Sequence, residues 1–183
     1  MSVIEQAAVI PAGTYSADPS HSSVEFAIRH MGLATVRGRA ASVSATLSAG
    51  DGAPVVEGTI DATSLTTYDE QRDGHLASPE FFDTARFPQI GFRSTEFSVE
   101  DDGSARVSGE LTLKGVTKPI ELAGRVSGHG QDPWGNERVG LDLEGVLNRS
   151  EFGVSWNAPL PGGGLLLAED VRLTASLSFV KQA

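Results

Sequence analysis

The chain contains 183 residues, 39% of them hydrophobic, which suffices for one domain with a buried core. Cysteine is absent, which excludes disulfides, thiolate metal sites and a cysteine nucleophile. The net charge of −10 argues against nucleic acid and anionic membrane surfaces as partners, and it favours a neutral or apolar ligand.

The N-terminal region carries Glu5 and no lysine or arginine before Arg29. Its longest apolar run, residues 7–10, is too short for the core of a signal peptide or for a membrane span. We therefore expect a cytoplasmic protein in which residues 1–11 form a tail and residues 12–183 form a single domain.

Alternation of apolar and polar residues recurs along most of the chain and predicts strands with one buried face. In the last segment, Val171, Leu173 and Leu177 share one face, whereas Arg172 and Ser176 share the other. We count eight strands. They span approximately residues 12–18, 21–31, 34–48, 54–63, 88–100, 104–114, 116–130 with 135–148, and 168–181.

One predicted strand changes parity along its length. Ile90 and Phe92 occupy even positions, whereas Phe97 and Val99 occupy odd positions. A β-bulge near residues 93–96 would return both pairs to one face of the sheet.

Turn signals between successive strands indicate an antiparallel meander. A meander with one apolar face per strand buries that face and loses its exposed edges when it closes into a barrel. The sequence therefore predicts an all-β fold, an eight-stranded antiparallel barrel with a short helical insertion near residues 66–83. A barrel of this size holds either packed side chains or one small ligand.

Two segments interrupt the strand pattern. In the first, Ser78 and Pro79 resemble an N-cap followed by proline at the first helical position. In the second, Leu165, Leu166 and Leu167 follow three glycines in a predicted loop. Three apolar residues in a loop predict contact with a barrel mouth, a dimer partner or the core.

A charged cluster, Arg72, Asp73 and His75, lies in the helical insertion. One interpretation is an enzyme on a small apolar substrate, with Asp73 and His75 as the acid–base pair. The alternative is structural: Arg72 and Asp73 anchor the helix to strand backbones through charge-assisted hydrogen bonds.

Other signs of catalysis or metal binding are missing from the sequence. The four histidines lack the short paired spacing of a zinc site, and there is no nucleophile elbow, Walker motif or dinucleotide fingerprint. We therefore expect no catalytic residues, no metal and no cofactor. His30 shares parity with Phe26 and Ile28, which would place it inside the barrel.

The order and wording of several motifs resemble the YceI-like family, lipocalin-like bacterial proteins that bind polyisoprenoids and other lipids. The matching stretches are residues 15–26, 28–30, 72–76, 81–83, 87–90, 92–95, 109–119 and 148–153. The resemblance implies an eight-stranded lipocalin-like barrel that carries or sequesters a polyisoprenoid, a quinone tail or a fatty-acid derivative. It also allows a homodimer, and it assigns no catalytic act.

On this interpretation we expect two groups of ligand-binding residues. The apolar and mouth residues are Phe26, Ile28, His30, Phe81, Phe92, Leu111, Leu113, Leu143, Phe152, Trp156, Leu173 and Leu177. The candidates for contact with a polar headgroup are Arg72, Asp73 and His75, together with His30. A third hypothesis is an interaction module whose leucine loop contacts a partner or a second copy of the chain.

Overall fold

Alternating apolar and polar side chains build eleven strands and one α-helix within residues 9–183, the part of the chain that the computed structural model describes. The strands are β1 Gly13–Ala17, β2 Ser23–His30, β3 Ala34–Ala40, β4 Val43–Ala49, β5 Val55–Asp61, β6 Leu65–Thr66, β7 Gln89–Val99, β8 Ser104–Leu113, β9 Val116–Gln131, β10 Glu137–Asn148 and β11 Leu167–Lys181. The helix is α1 Glu70–Ala77.

The strands form a closed antiparallel barrel with eight strand positions, which confirms the predicted fold. β1 and β2 together occupy one position, because both pair with β11, β1 near its end and β2 near its start. β3 and β4 together occupy the neighbouring position and pair with β2 and β1. β5, β7, β8, β9, β10 and β11 complete the ring.

The predicted number of eight barrel strands is confirmed, but the bounds of several strands differ from the prediction. The predicted strand 34–48 is broken at residues 41 and 42, where β3 ends and β4 begins. The two arms that we counted as one strand, 116–130 and 135–148, are the separate strands β9 and β10, joined by a hairpin. Both strands of a hairpin alternate apolar and polar residues in the same way. This alternation alone therefore does not distinguish one long strand from two.

The predicted bulge lies in β7, where the register against β8 shifts between Ser94 and Glu96. Ser94 is buried there, and its side-chain oxygen accepts a hydrogen bond from the Val56 N–H at 3.0 Å. The bulge therefore keeps Phe92 and Phe97 in contact with the same core cluster despite their different parity.

One end of the barrel is closed by packed side chains. The buried residues of this end include Tyr15, Leu47, Phe97, Leu141 and Phe179. The predicted tail, residues 1–11, lies outside the described residues as far as residue 8, and Ile10 is buried in this packed end.

The opposite end is built by the chain between β5 and β7. Within residues 9–183, β3 pairs on one side with β2 and on the other only with the two-residue strand β6. Residues 62–88, which include α1, follow at this side of the barrel. Leu76, Phe81 and Phe82 of this segment pack in a second apolar cluster with residues of β8, β10 and β11.

The predicted start of the helix at Ser78 and Pro79 is wrong. The helix begins after Asp69, whose extended backbone and carboxylate cap it by accepting a hydrogen bond from the Arg72 N–H at 2.9 Å. Ser78 ends the helix, because its N–H and its hydroxyl both donate to the His75 carbonyl oxygen. Pro79 follows the C-cap, a common place for proline because it cannot continue a helix.

Replacing the N-cap Asp69 by alanine is expected to lower the free energy of unfolding by about 1 kcal/mol, because the Arg72 N–H loses its acceptor. Urea denaturation measures this difference. Asp69→Asn is the matched control and should stay within a few tenths of a kcal/mol of the natural chain. Equal stability of the alanine and asparagine variants would contradict the capping role.

Candidate functional site

An apolar cavity of about 630 Å³ lies inside the barrel, on the α1 side of the packed end. Its wall is formed by residues of every strand from β2 to β11, and by the segments around α1 and before β11. The volume falls within the roughly 300–1,000 Å³ that small-molecule sites occupy. The sequence predicts the wall from parity, since alternate residues of each strand face the interior.

Most of the residues that we expected to contact a ligand border this cavity. They are Phe26, Ile28, His30, Phe81, Phe92, Leu111, Leu113, Leu143, Trp156, Leu173 and Leu177. Val56, Leu143 and Leu177 belong both to the cavity wall and to the packed core, so they mark the closed bottom of the cavity. The role of these residues in ligand binding stays a prediction.

Phe152 does not border the cavity. It lies in a 3₁₀ turn, Arg149–Phe152, and only 1% of its surface is exposed. It packs in the apolar cluster that contains Phe81 and Leu113, two residues of the cavity wall. Phe152 therefore supports the wall by packing.

Three rings meet at the α1 end of the cavity. The His75 ring is 4.8 Å from the Phe81 ring and 4.8 Å from the Trp156 ring, in both cases edge to face. Phe81 and Trp156 are 5.5 Å apart. His75 Nε2 also pairs with the Glu80 carboxylate at 2.5 Å. All three rings border the cavity, so they form an aromatic cover at this end.

The charged cluster is divided by the structure. Arg72 and His75 border the cavity, but Asp73 does not. The Asp73 carboxylate accepts hydrogen bonds from the Thr66 hydroxyl at 2.7 Å, the Thr67 hydroxyl at 2.6 Å and the Thr67 N–H at 2.7 Å. Arg72 Nε donates to the Thr67 hydroxyl at 2.7 Å, and Nη2 donates to the Thr67 carbonyl at 3.0 Å. Both residues thus tie α1 to the chain that follows β6.

The hydrogen bonds around Asp73 affect its ionisation. Burial on its own would raise the pKa of Asp73, but hydrogen bonds from Thr67 and Thr66 outweigh burial and hold the pKa below its ordinary value of 3.8. The ionised carboxylate therefore stabilises the folded chain above the ordinary pKa. This contribution is lost as the pH falls through the lower, folded-state pKa.

Replacing Asp73 by asparagine is expected to lower the free energy of unfolding near pH 7 by about 1–3 kcal/mol, because a charged acceptor of three hydrogen bonds is removed. The variant should also lose less stability than the natural chain between about pH 5 and about pH 2. Urea denaturation across this range measures both effects, with the exposed Asp51→Asn as the control. Parallel pH profiles for Asp73→Asn and the natural chain would contradict the assignment.

Sequence reasoning missed Arg149, which follows β10 and is 3% exposed. Its Nε donates to the Ala168 carbonyl at 2.8 Å, and its Nη1 donates to the carbonyls of Val154 at 2.8 Å and Trp156 at 2.9 Å. Arg149 borders the cavity, and its Nη2 is buried without a hydrogen-bond partner among the described residues. Burial lowers the pKa of Arg149, and the nearby Glu169 opposes this effect.

A local signal could have identified the turn that buries Arg149, although not its partners. Asn148 caps the turn by accepting a hydrogen bond from the Ser150 N–H at 2.9 Å, and Gly153 ends it in the left-handed region with φ 73°. The carbonyls that Arg149 binds belong to the loop after it and to the start of β11, nineteen residues away, where no sequence pattern predicts contact.

The leucine loop contributes to the cavity. Leu166 and Leu167 border it, whereas Leu165 is 52% exposed. Asn157 holds the loop by donating to the Leu167 carbonyl at 2.8 Å and accepting from the Leu167 N–H at 2.9 Å. We predicted that these leucines contact the barrel mouth, a dimer partner or the core. The structure places two of them, Leu166 and Leu167, at the cavity mouth.

Neither a metal-binding cluster nor a membrane-spanning helix is present in the described part of the chain. Residues 9–183 contain no group of three or more histidine, aspartate or glutamate side chains that could hold a metal ion. No helix in the same range has the length and apolar character needed to cross a membrane.

Comparison with known proteins gives consistent matches. The YceI-like domain matches residues 15–179. Protein YceI of Escherichia coli O17:K52:H18 is 38% identical over 138 residues, which cover 73% of this chain and 71% of that protein.

Two solved structures share the fold. BcnA of Burkholderia cenocepacia superposes with a TM-score of 0.77 at 22% identity, covering 88% of this chain and 98% of BcnA. A polyisoprenoid binding domain from Saccharophagus degradans superposes with a TM-score of 0.65 at 17% identity, covering 92% of this chain and 98% of that domain.

Proposed function

Because the chain belongs to the YceI-like family, we propose that it binds a long apolar molecule inside its barrel and carries or sequesters it. The observation that carries the proposal is the cavity of about 630 Å³ with an almost entirely apolar wall. A polyisoprenoid, a quinone tail or a fatty-acid derivative has the chemistry that this wall would bind. The similarity to the polyisoprenoid binding domain from Saccharophagus degradans supports the same class of ligand.

Hydrophobic burial supplies the driving force for such binding. Each methylene transferred from water to an apolar wall contributes roughly 0.8 kcal/mol before the cost of association. The cavity extends from the aromatic cover of His75, Phe81 and Trp156 to the packed bottom near Leu143 and Leu177, so a ligand chain could lie between these two ends.

The polar groups near the α1 end are suited to the less apolar end of the ligand. His30, Arg72 and His75 border the cavity and carry hydrogen-bond donors. We propose that a hydroxyl, carbonyl or carboxylate oxygen of the ligand meets one of these groups, while the hydrocarbon part lies against the strands.

We propose binding without catalysis. The acid–base alternative requires Asp73 and His75 to reach one ligand atom from the cavity. Asp73 instead accepts three hydrogen bonds from Thr66 and Thr67 and lies outside the cavity wall. His75 is held by Glu80 and by two ring contacts.

Tryptophan fluorescence tests the proposal directly, because the chain has only two tryptophans. Trp156 borders the cavity, whereas Trp134 is 82% exposed on the hairpin between β9 and β10. In the Trp134→Phe variant, titration with a long-chain polyprenol should shift the Trp156 emission to the blue and saturate. A polyol of similar length is the control ligand. Equal, unsaturating responses to both would reject the proposed function.

A further inference from the structure

The Arg149 guanidinium has one nitrogen that the fold leaves without a partner. Its Nε donates to the Ala168 carbonyl. Its Nη1 donates to the carbonyls of Val154 and Trp156, which engages both hydrogens of that nitrogen. Nη2 is buried and has no hydrogen-bond partner among residues 9–183. Because buried donors are nearly always paired in native proteins, Nη2 requires a partner that this part of the chain does not supply.

The acidic side chains nearby do not neutralise Arg149. Glu169 favours its charged form, but burial acts more strongly on the pKa of Arg149 and lowers it. The Glu169 carboxylate accepts a hydrogen bond from the Ser150 hydroxyl and forms no ion pair with Arg149. Glu25, the one acidic residue among the described residues of the cavity wall, is exposed and lies opposite Arg39 in the β2–β3 pair. An arginine stays charged in proteins, so a buried positive charge remains only partly compensated.

Arg149 lies at the α1 end of the cavity. It borders the cavity, and so do Val154 and Trp156, whose carbonyls it binds. Trp156 also belongs to the aromatic cover at this end, whereas the packed bottom lies near Leu143 and Leu177. Since Nε and Nη1 are engaged by the backbone, Nη2 is the nitrogen that remains for a molecule in the cavity.

Water is a poor partner for Nη2 in this cavity. A buried water is held by about three hydrogen bonds to polar groups of the protein. The carbonyls that surround the guanidinium already accept from Nε and Nη1, and the cavity wall is almost entirely apolar. An anionic oxygen needs fewer partners, because a charge-assisted hydrogen bond is roughly twice as strong as a neutral one. The free nitrogen therefore favours an anionic ligand oxygen over water.

The single free nitrogen suits a singly charged anion. A bidentate clamp on phosphate needs two neighbouring free nitrogens, and Arg149 offers one. A carboxylate balances the one guanidinium charge. A phosphate monoester carries about −1.5 to −2 charges, which would leave uncompensated negative charge in an apolar cavity. Arg72 could not bury a second positive charge there, because it is exposed and tied to Thr67.

We propose that Arg149 Nη2 binds the carboxylate of a long-chain acid whose hydrocarbon extends toward the packed bottom of the cavity. This inference rests on the proposed function and narrows it to ligands that carry a carboxylate at one end. Arg149 adds a buried donor to His30, Arg72 and His75, which are less buried. The net charge of −10 opposes the approach of an anion, but salt screens charges beyond about 8–10 Å, so the buried contact decides the affinity.

Tryptophan fluorescence in the Trp134→Phe background tests the inference with palmitate, palmityl alcohol and methyl palmitate, which share one hydrocarbon chain. At about pH 7, where a free carboxyl group is ionised, palmitate should bind at least tenfold more tightly than either neutral probe. Palmityl phosphate should bind more weakly than palmitate. Equal affinity for palmitate and the neutral probes would overturn the inference, and so would tighter binding of the phosphate.

A variant series assigns the preference to Arg149. In Arg149→Gln, the affinity ratio of palmitate to palmityl alcohol should fall at least tenfold, because the charge is removed. The ratio is measured within one folded variant, so a general loss of stability does not imitate this result. The exposed Arg172→Ala should keep the ratio of the natural chain. A ratio that persists in Arg149→Gln, or that is lost in Arg72→Gln instead, would overturn the assignment.

A second measurement needs no variant at position 149. Palmitate labelled with carbon-13 at its carboxyl group reports its own ionisation by NMR when it is bound to the natural chain. The positive charge of Arg149 should hold the pKa of the bound carboxyl below that of free palmitate. Burial without a cationic partner would raise this pKa, and a raised value would overturn the inference even if Arg149→Gln does not fold.

These results separate the inference from the proposed function. Saturable uptake of polyprenol or palmityl alcohol without a preference for palmitate would reject the role of Arg149 and leave the proposed function standing. Failure to take up any long-chain probe would reject the proposed function, and the inference that rests on it would fall as well.

Discussion

Replacing Arg149 by alanine is expected to lower the free energy of unfolding by at least about 3 kcal/mol, the largest effect that we expect from one substitution. The reason is that three carbonyl acceptors, those of Val154, Trp156 and Ala168, lose their donor together. Each buried acceptor left without a partner costs about 1–3 kcal/mol. The loss should be visible as a lower midpoint of urea denaturation with an unchanged slope.

Arg149→Lys is the matched control for the charge. Lysine keeps a positive charge but lacks the rigid fork that reaches several acceptors, so this variant should recover only part of the lost stability. The exposed Arg172→Ala, whose partner Glu144 is 3.7 Å away, should change stability by less than about 1 kcal/mol. An Arg149→Ala variant as stable as Arg172→Ala would show that Arg149 does not hold the loops at the cavity.

Filling the cavity by Ala175→Phe is expected to weaken ligand binding at least tenfold while the fold stays intact. Ala175 borders the cavity in the middle of β11, opposite Leu143 on one side and Val24 on the other. The cavity of about 630 Å³ has room for a phenyl ring at this position. Overpacking should therefore lower the free energy of unfolding by no more than about 1–3 kcal/mol.

Ser176→Phe provides the control, because Ser176 is the next residue of β11 and its side chain is exposed on the outer face. Titration of both variants with the same polyprenol, in the Trp134→Phe background, measures the difference. Equal affinity of the two variants would mean that the ligand binds outside the barrel. Stability measured in parallel separates loss of binding from loss of folding.

The strands and the cavity wall could be predicted from the sequence because both follow from a local period of two. Phe26 and Ile28, or Leu111 and Leu113, are two residues apart, so each pair faces the same side of its strand. In a barrel that side is the interior, whether the interior is packed or empty. Parity does not show where packing ends, and the boundary near Leu143 and Leu177 emerges only from the three-dimensional arrangement.

The prediction failed where long-range contacts decide the structure. Ser78 has the residue type of an N-cap, but Asp69 starts the helix, and Ser78 closes it by donating hydrogen bonds to the His75 carbonyl oxygen. Phe152 belongs to the family pattern and is aromatic, yet it packs outside the cavity wall. Arg149 binds carbonyls from the loop after it and from the start of β11, which no local spacing indicates.

Native mass spectrometry of the purified chain, before and after extraction with organic solvent, tests the central claim most directly. We expect a single apolar molecule bound to each chain, lost on extraction and absent from the Ala175→Phe variant but retained by Ser176→Phe. The bare mass of the polypeptide in repeated gentle preparations, together with no uptake of added polyprenol, would contradict the claim that this barrel is a container for apolar ligands.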